Sequence, residues 1–189
     1  MTLVVERLNA SLRRSAYVRT VFDRAREIDL PDWYLSAGVV AQTVWNDAFG
    51  LPAHHGIVDL DICYFSSDVD AAQEAACEQR VRQALAMSLK VDVKNQARVH
   101  LWYREKFGYE VPPALTMADA AARWPTTVSL GVRPDGAGLT VLAPFGLEDL
   151  FNLVVRPNKR QITKEIYERK VARWRPLWPK VTYVDWDDV

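Results

Sequence analysis

The stretch Gly56-Ile57-Val58-Asp59-Leu60-Asp61-Ile62-Cys63-Tyr64-Phe65 organises the rest of the chain, because it reads as a strand that carries two carboxylates. Side chains alternate between the two faces of a strand. One face is wholly apolar and consists of Val58, Leu60, Ile62 and Tyr64. The other face holds both carboxylates and consists of Ile57, Asp59, Asp61, Cys63 and Phe65. The pattern predicts a half-buried strand with two aspartates side by side.

The two aspartates need something to offset their mutual repulsion. At roughly 6 Å and an effective dielectric of about 20, two carboxylates repel by on the order of 3 kcal/mol, and partial burial raises this cost. A divalent cation removes the repulsion, and Mg²⁺ is typically bound by one or two carboxylates together with substrate phosphates. The alternative is a strand at a sheet edge, with both aspartates in water.

Composition is that of an ordinary globular protein and gives no global sign of a charged partner. The 189 residues are 49% hydrophobic and 25% charged, and Lys+Arg equals Asp+Glu at 24 each. The length fits a single domain, residues 1–189, with a core at about 30–110 and an α/β extension at about 114–189. Two scattered cysteines and the lack of a long apolar run predict a cytoplasmic protein with no membrane partner.

Strand and helix patterns alternate along the chain. Predicted helices cover residues 3–12, 16–28, 39–48, 70–87, 95–103, 116–124, 145–151 and 161–175. Predicted strands cover residues 33–36, 56–65, 89–93, 126–133, 139–143 and 153–155. Turn residues 134–138 indicate a hairpin between the fourth and fifth of these strands. The helix at 70–87 can cross over between parallel strands, so 56–65 and 89–93 should share a sheet.

Two further features lie near the paired aspartates. Asp92 stands between two valines on the strand after the crossover helix, which puts a third carboxylate on a neighbouring strand. Ser36-Ala37-Gly38 is a small-residue turn between a strand and a helix, where free N–H groups and the positive end of the helix dipole favour a phosphate. The alternative is that Ser36 is an ordinary cap and Gly38 allows close packing.

Polar residues flank these strands on both sides. Asn95 is a candidate helix cap, and Arg98 lies on the same helix face, where it pairs with a phosphate, with an aspartate, or in a surface salt bridge. His54 and His55 precede the aspartate strand and are alternative ligands for zinc or manganese. Adjacent histidines on a loop usually point in different directions, which weighs against a metal site there.

The segment from Lys159 to Arg175 is basic and aromatic. It holds seven Lys or Arg against two Glu, with Tyr167, Trp174 and Trp178 interleaved or close by. Such a helix suits a nucleotide or nucleic-acid partner. The alternative is a solvated helix whose long side chains pack their stems on the core.

Taken together, these blocks resemble a known superfamily. The turn at residues 36–38, Asp59-Leu60-Asp61 and Asp92 are similar to the core of the polymerase-β-like nucleotidyltransferases. Val-Lys-Asn-Gln-Ala-Arg-Val-His at 93–100 and Ala-Pro-Phe-Gly-Leu-Glu-Asp-Leu-Phe at 143–151 resemble a narrower family of bacterial nucleotidyltransferase-like proteins. The resemblance implies an α+β fold, with a mixed β-sheet flanked by helices and helical additions at both termini.

The resemblance also implies an activity. A nucleoside monophosphate would pass from a nucleoside triphosphate to a hydroxyl acceptor, with Asp59, Asp61 and Asp92 as the catalytic carboxylates that bind Mg²⁺, or Mn²⁺ in its place. The nucleotide's phosphates would lie at the turn and near the strand end, at Ser36, Ala37, Gly38, Lys94, Asn95 and Arg98. Neither the nucleotide nor the oligomeric state follows from these residues, and the acceptor could be a small molecule, a protein or RNA.

The turn departs from the superfamily pattern, which usually has Gly-Ser or Gly-Gly where this chain has Ala37-Gly38. The departure keeps open an alternative function, a catalytically inactive nucleotide- or RNA-binding protein with the same fold. A third hypothesis is a metal-dependent hydrolase that uses His54 and His55 together with the aspartates.

Overall fold

A five-stranded mixed sheet forms the centre of the computed structural model, which describes residues 2–189. Its strands are β1 (Tyr34–Ser36), β2 (Asp59–Tyr64), β3 (Lys90–Asn95), β4 (Gly131–Asp135) and β5 (Gly138–Leu142), in the spatial order β3-β2-β1-β4-β5. Strands β2 and β3 are parallel and the other neighbours are antiparallel. The predicted α+β fold with a mixed sheet flanked by helices is confirmed.

Nine α-helices are formed within the described residues. They are α1 (Leu3–Leu12), α2 (Ala16–Asp23), α3 (Ala25–Ile28), α4 (Gly38–Ala48), α5 (Ala71–Leu85), α6 (Val99–Phe107), α7 (Met117–Ala121), α8 (Glu148–Phe151) and α9 (Lys164–Trp174). Single 3₁₀ turns lie at Gln96–Arg98, Thr126–Val128 and Trp186–Asp188. A separate two-stranded parallel sheet pairs β6 (Val154–Val155) with β7 (Thr182–Tyr183).

The helix α5 makes the predicted crossover between parallel strands. The Asp70 carboxylate accepts a hydrogen bond from the Ala72 N–H and caps its first turn. The register pairs Asp59 with Lys90 and Asp61 with Asp92. Because directly paired residues share a face, the three predicted carboxylates lie on the same side of the sheet.

The hairpin of β4 and β5 joins the sheet through β1, so strands from both the predicted core and the predicted extension form one sheet. Gly131 pairs with Ser36 at this junction. A Cβ added at Gly131 would lie 2.7 Å from Tyr34 Cβ and 3.0 Å from Ser36 Oγ, so only glycine fits. The close approach lies on the edge of β1 that pairs with β4, and the other edge of β1 pairs with β2, which carries the aspartates.

The opposite face of the sheet is apolar and buried. Leu35, Leu60, Ile62 and Val93 are 0% exposed, and α4 packs on β1 and β2. On α4, Trp45 meets Trp174 and Trp178 edge to face, with ring centroids 5.8 and 5.3 Å apart. These indole contacts join the C-terminal helix α9 to the centre of the molecule.

Several predicted boundaries were wrong. Strand β2 begins at Asp59 and not at residue 56, because the chain turns at Gly56, whose φ is 68°, and Val58 is 61% exposed. The predicted helix at 16–28 breaks at Arg24 into α2 and α3. Residues 126–128 form a 3₁₀ turn and not the start of a strand. Strand β3 extends to Asn95, so α6 begins at Val99.

Candidate active site

The polar face of β2 and β3 forms the floor of a cleft. Side chains at alternate positions of the two strands line it, in the cross-strand pairs Asp59 with Lys90, Asp61 with Asp92 and Cys63 with Lys94. Adjacent positions on one face are two residues apart, which is about 6.6 Å along a strand. The floor is therefore a short grid of charges set by the strand register.

The turn between β1 and α4 closes one end of the floor. Ala37 and Gly38 both line the cleft, and Gly38 is the first residue of α4. Ala37 has φ 60° and ψ −131°, a backbone conformation that favours glycine. Alanine has no side-chain oxygen to cap the helix, so the first N–H groups of α4 are free for an anion.

Two helices form the walls above this floor. On α6 one helical face lines the cleft, namely Val99, Trp102, Tyr103, Lys106 and Phe107. On α9 the lining residues are Ile166, Arg169, Lys170, Arg173 and Trp174. Trp124, Pro125 and Val128 complete the enclosure, whose volume is about 760 Å³. A space of this size accommodates a nucleotide-sized ligand.

The charged groups at the centre of the cleft shift one another's pKa values. Burial, reinforced by the neighbouring charges of Asp59 and Asp92, raises the pKa of Asp61 to about 6, although Lys170 and Lys90 oppose this shift. Burial and the nearby Arg173 lower the pKa of Lys170, while Asp61 and Asp59 favour its charged form. The ammonium of Lys170 on α9 thus faces the carboxylates across the cleft.

Asp92 differs from its two neighbours in having cations of its own. Lys90 Nζ lies 2.5 Å from one carboxylate oxygen of Asp92, and Arg82 Nη2 lies 3.6 Å from the other. Within residues 2–189, no three acidic, histidine or cysteine side chains converge tightly enough to hold a metal ion between them. Asp59 and Asp61 are the two floor carboxylates that have no such ion pair within the described residues.

Of the predicted site residues, Asp59, Asp61, Asp92, Ala37, Gly38 and Lys94 line the cleft, and three others lie outside it. Ser36 is fully buried and its hydroxyl donates to the Tyr34 carbonyl at 3.2 Å. Asn95 caps the 3₁₀ turn and donates to the carbonyls of Ser66 and Asp68. Neither side chain lines the cleft, because each is engaged in hydrogen bonds within the fold.

Arg98 is the third predicted residue outside the cleft. It pairs with the buried carboxylate of Glu74, and its Nε donates to the Val69 carbonyl at 2.7 Å. Of the alternatives given for Arg98, the structure shows a salt bridge, although with a buried carboxylate of α5 and not at the surface. The other Glu74 oxygen accepts the Asn95 N–H at 2.7 Å, so this pair fixes the junction between β3 and α6.

The histidines do not form the alternative metal site. The His55 ring nitrogen Nε2 is 3.1 Å from the Leu177 carbonyl, and its ring packs edge to face on Trp178. His54 is exposed on the loop. Neither lines the cleft, so a zinc or manganese site that uses both histidines is not assembled by the described residues.

The sequence analysis noted the basic segment from Lys159 to Arg175 but did not single out its wall residues Arg169, Lys170 and Arg173, and it missed the floor residue Lys90. Ile166, Lys170 and Arg173 are spaced i, i+4 and i+7, which puts them on one helix face. That spacing was the available signal. It did not reveal which element the face opposes, since β2 lies more than 100 residues earlier in the chain.

Comparison with known proteins identifies the family. Residues 23–183 match a family model described as nucleotidyltransferase. The chain belongs to this nucleotidyltransferase family. The match covers most of the chain, including the floor, both walls and the α4 turn, and it confirms the predicted family.

One solved structure has the same fold as this nucleotidyltransferase. It was determined by NMR and is described as revealing a CCA-adding enzyme head domain. It is similar with a TM-score of 0.76 and 20% sequence identity, over 95% of each chain. The likeness confirms the predicted polymerase-β-like fold. A search of the curated proteins found no match.

The helices within residues 2–189 include none with the length and apolar character needed to cross a membrane. Cys63 is buried, Cys77 is half-buried, and both are free thiols.

Proposed function

We propose that the chain is a metal-dependent nucleotidyltransferase that transfers a nucleoside monophosphate from a nucleoside triphosphate to a hydroxyl acceptor. The observation that carries the proposal is the position of Asp59 and Asp61 on the floor of the cleft, beside the free N–H groups of the α4 turn. Two carboxylates next to an anion-binding helix end suit a metal-bound phosphate.

The donor set fits Mg²⁺, and Mn²⁺ could take its place. Mg²⁺ is usually held by one or two carboxylates plus substrate phosphates, and Asp59 and Asp61 supply that number. Burial, together with the charges of Asp59 and Asp92, raises the pKa of Asp61. A bound cation offsets the cost of a buried negative charge beside two others. Once bound, the cation neutralises charge on the reacting phosphate and orients it.

The chain's own residues position the triphosphate. In this proposal the α4 N-terminus, which begins at Gly38 beside Ala37, receives the terminal phosphates, and Lys170 and Arg173 approach them from α9. The antiparallel register of β1 and β2 places Gly38 at the Asp59 end of the floor. The α-phosphate then lies near Asp61, midway along the cleft.

The reaction exchanges one phosphorus–oxygen bond for another. The acceptor hydroxyl oxygen bonds to the α-phosphorus, the bond from that phosphorus to the bridging oxygen breaks, and pyrophosphate leaves. Asp92 takes up the hydroxyl proton in this proposal, because it lies on the floor directly opposite Asp61, next to the position of the α-phosphate. Lys170 and Arg173 stabilise the negative charge on the leaving pyrophosphate.

A catalytically inactive nucleotide- or RNA-binding protein is the second candidate. Its main support was the alanine in place of glycine at position 37. Ala37 nevertheless adopts the backbone conformation that glycine favours, so the turn geometry is retained in spite of the substitution. The retained geometry favours the active transferase over the inactive binder.

The test combines binding and turnover. ATP, CTP, GTP and UTP are titrated calorimetrically with Mg²⁺ into the wild type, Asp59→Asn, Asp61→Asn and the exposed control Asp23→Asn. Turnover is followed with α-labelled nucleotide, and the label is sought in small-molecule, protein and RNA fractions. We expect Asp61→Asn to lose activity by about 10³-fold, removal of Mg²⁺ with EDTA to do the same, and Asp23→Asn to behave as wild type.

Other outcomes separate the alternatives. Metal-dependent binding without any labelled product in the three fractions would favour the inactive binder. Equal activity of Asp61→Asn and Asp23→Asn would overturn the metal assignment.

A further inference from the structure

The character of the cleft wall changes along α9 and the residues just before it. Ile162 and Ile166 line the cleft near the start of the helix, whereas Lys170 and Arg173 line it near the end. Seven helical residues separate Ile166 from Arg173, which corresponds to about 10 Å. One wall thus passes from apolar to basic over the length of a nucleotide.

The apolar part of the cleft is enclosed by flat side chains. Tyr103 and Phe107 approach from α6, with ring centroids 4.4 Å apart, and Trp124 and Pro125 close the other side. Tyr103 is buried, and Phe107 and Trp124 are half-buried. An apolar slot walled by aromatic rings suits a planar heterocycle.

One polar side chain in this part of the cleft is held in a fixed orientation. Gln161 lines the cleft, and its Oε1 accepts a hydrogen bond from Arg123 Nη1 at 3.3 Å. The Gln161 backbone carbonyl accepts the Tyr109 hydroxyl at 3.0 Å. Because Arg123 holds Oε1 on its own side of the amide, Nε2 lies on the other side, and we take this donor as the group that meets a ligand.

Arg123 is itself held rigidly. It is 8% exposed, and its guanidinium donates to the Asp119 carboxylate at 2.6 Å and to the carbonyls of Pro112 and Pro113 at 2.5 and 3.0 Å. A guanidinium has donors only, so Gln161 cannot turn its amide toward Arg123 without losing this bond. The Arg123 bond therefore fixes which end of the Gln161 amide is the donor end.

We propose that this slot between α6 and the start of α9 is the base subsite, and that Gln161 selects a base that presents a carbonyl. The inference rests on the proposed function, which puts the phosphates at the opposite, basic end. Uracil and guanine carry a carbonyl where cytosine and adenine carry an amino group. An amino group facing the Gln161 amide leaves two donors opposed and unpaired.

The experiment measures the dissociation constants of UTP, CTP, GTP, ATP and inorganic tripolyphosphate, each with Mg²⁺, for the full chain. The variants are Gln161→Leu and, as a matched control, Gln42→Leu, which makes the same change next to Gly38 at the phosphate end. For the wild type we expect UTP to bind about tenfold more tightly than CTP, and GTP about tenfold more tightly than ATP.

The variants locate the source of that preference. Gln161→Leu should reduce both ratios to within about twofold and leave tripolyphosphate binding unchanged, whereas Gln42→Leu should keep both ratios. Wild-type ratios near one, or ratios that survive in Gln161→Leu, would overturn the base subsite while the transferase proposal stands. No binding of any nucleotide, or binding that Asp59→Asn and Asp61→Asn leave intact, would overturn the transferase proposal itself.

Discussion

The floor and the α9 wall of the cleft are built in opposite ways. On the floor, Asp61 and Asp92 are paired residues of adjacent parallel strands, so backbone hydrogen bonds set their spacing. On the wall, Lys170 and Arg173 lie at the ends of long side chains on a helix far away in sequence. The floor therefore depends on strand register, and the wall depends on whatever anchors α9.

The segment just before α9 supplies one anchor, in addition to the contacts of Trp174 and Trp178 with Trp45. The Asn158 amide donates to the carbonyls of Ala122 and Trp124 at 2.8 and 2.7 Å, and Arg160 pairs with Asp119 at 2.6 Å. Asp119 also pairs with Arg123. A buried ion pair on the α7 side thus positions the helix that faces the carboxylates.

The substitution Arg123→Met should have the largest effect on the anchor that positions α9. Removing the buried guanidinium leaves the half-buried Asp119 with Arg160 but without Arg123, and it leaves the carbonyls of Pro112 and Pro113 without this donor. We therefore expect a loss of about 2–4 kcal/mol in the free energy of unfolding. Urea denaturation measures it. The control Arg104→Met removes the exposed pair with Glu110 and should cost less than about 1 kcal/mol. Equal costs in the two variants would contradict the anchoring role of Arg123.

The wall itself is tested by Lys170→Gln, which keeps a polar side chain, shorter by one bond, but removes its charge. We expect a decrease of about 10- to 100-fold in turnover, because Lys170 faces Asp59 and Asp61 across the cleft. The matched control Lys164→Gln lies on the same helix and pairs with Asp187 at 2.5 Å. Equal activity of the two variants in a transferase assay would mean that the carboxylates on the floor do not require the positive charge of Lys170.

The contrast between floor and wall also explains what could be predicted from the sequence. Period-two alternation and a crossover helix suffice to place Asp59, Asp61 and Asp92 on one face of a sheet, and they lie there. These are local signals combined with one topological rule. The start of β2 was misplaced because Val58 continues the alternation, although the turn at Gly56 already removes it from the sheet.

The position of α9 opposite the floor could not be predicted by such local and topological rules. The spacing of Lys170 and Arg173 defines a helix face, but the partner of that face depends on the indole contacts between Trp45, Trp174 and Trp178. The partner of Arg98 could not be predicted for a related reason. Its partner, the buried Glu74, lies on α5, and nothing in the local pattern distinguishes Glu74 from a solvated helix residue.

The anchor should also make stability depend on pH. Burial opposes ionisation of Asp119, but the Leu115 N–H together with Arg123 and Arg160 outweighs it and lowers the pKa of this carboxyl below its ordinary 3.8. The resulting stability is fully present above the unfolded value and is lost as the pH falls through the folded pKa. Unfolding free energies between about pH 5 and pH 3 should fall less steeply for Asp119→Asn than for wild type. Identical slopes would mean that other carboxyls carry the acid sensitivity.

The smallest expected effect concerns the end of the floor, where the backbone rather than a side chain is strained. Ala37 holds φ 60° and ψ −131°, a conformation that costs an alanine on the order of 1–3 kcal/mol. A glycine at this position avoids that strain, but it loses part of the gain because glycine has more conformational freedom in the unfolded chain. We therefore expect Ala37→Gly to stabilise the protein by about 1 kcal/mol, which raises the melting temperature by about 2–4 °C in a thermal scan. Ala48→Gly, at the exposed last residue of α4, should destabilise it by about 0.5–1 kcal/mol instead. If both variants shift the melting temperature downward, Ala37 is not strained. The turn would then owe its geometry to the hydrogen bond from the Ala37 N–H to the Leu130 carbonyl.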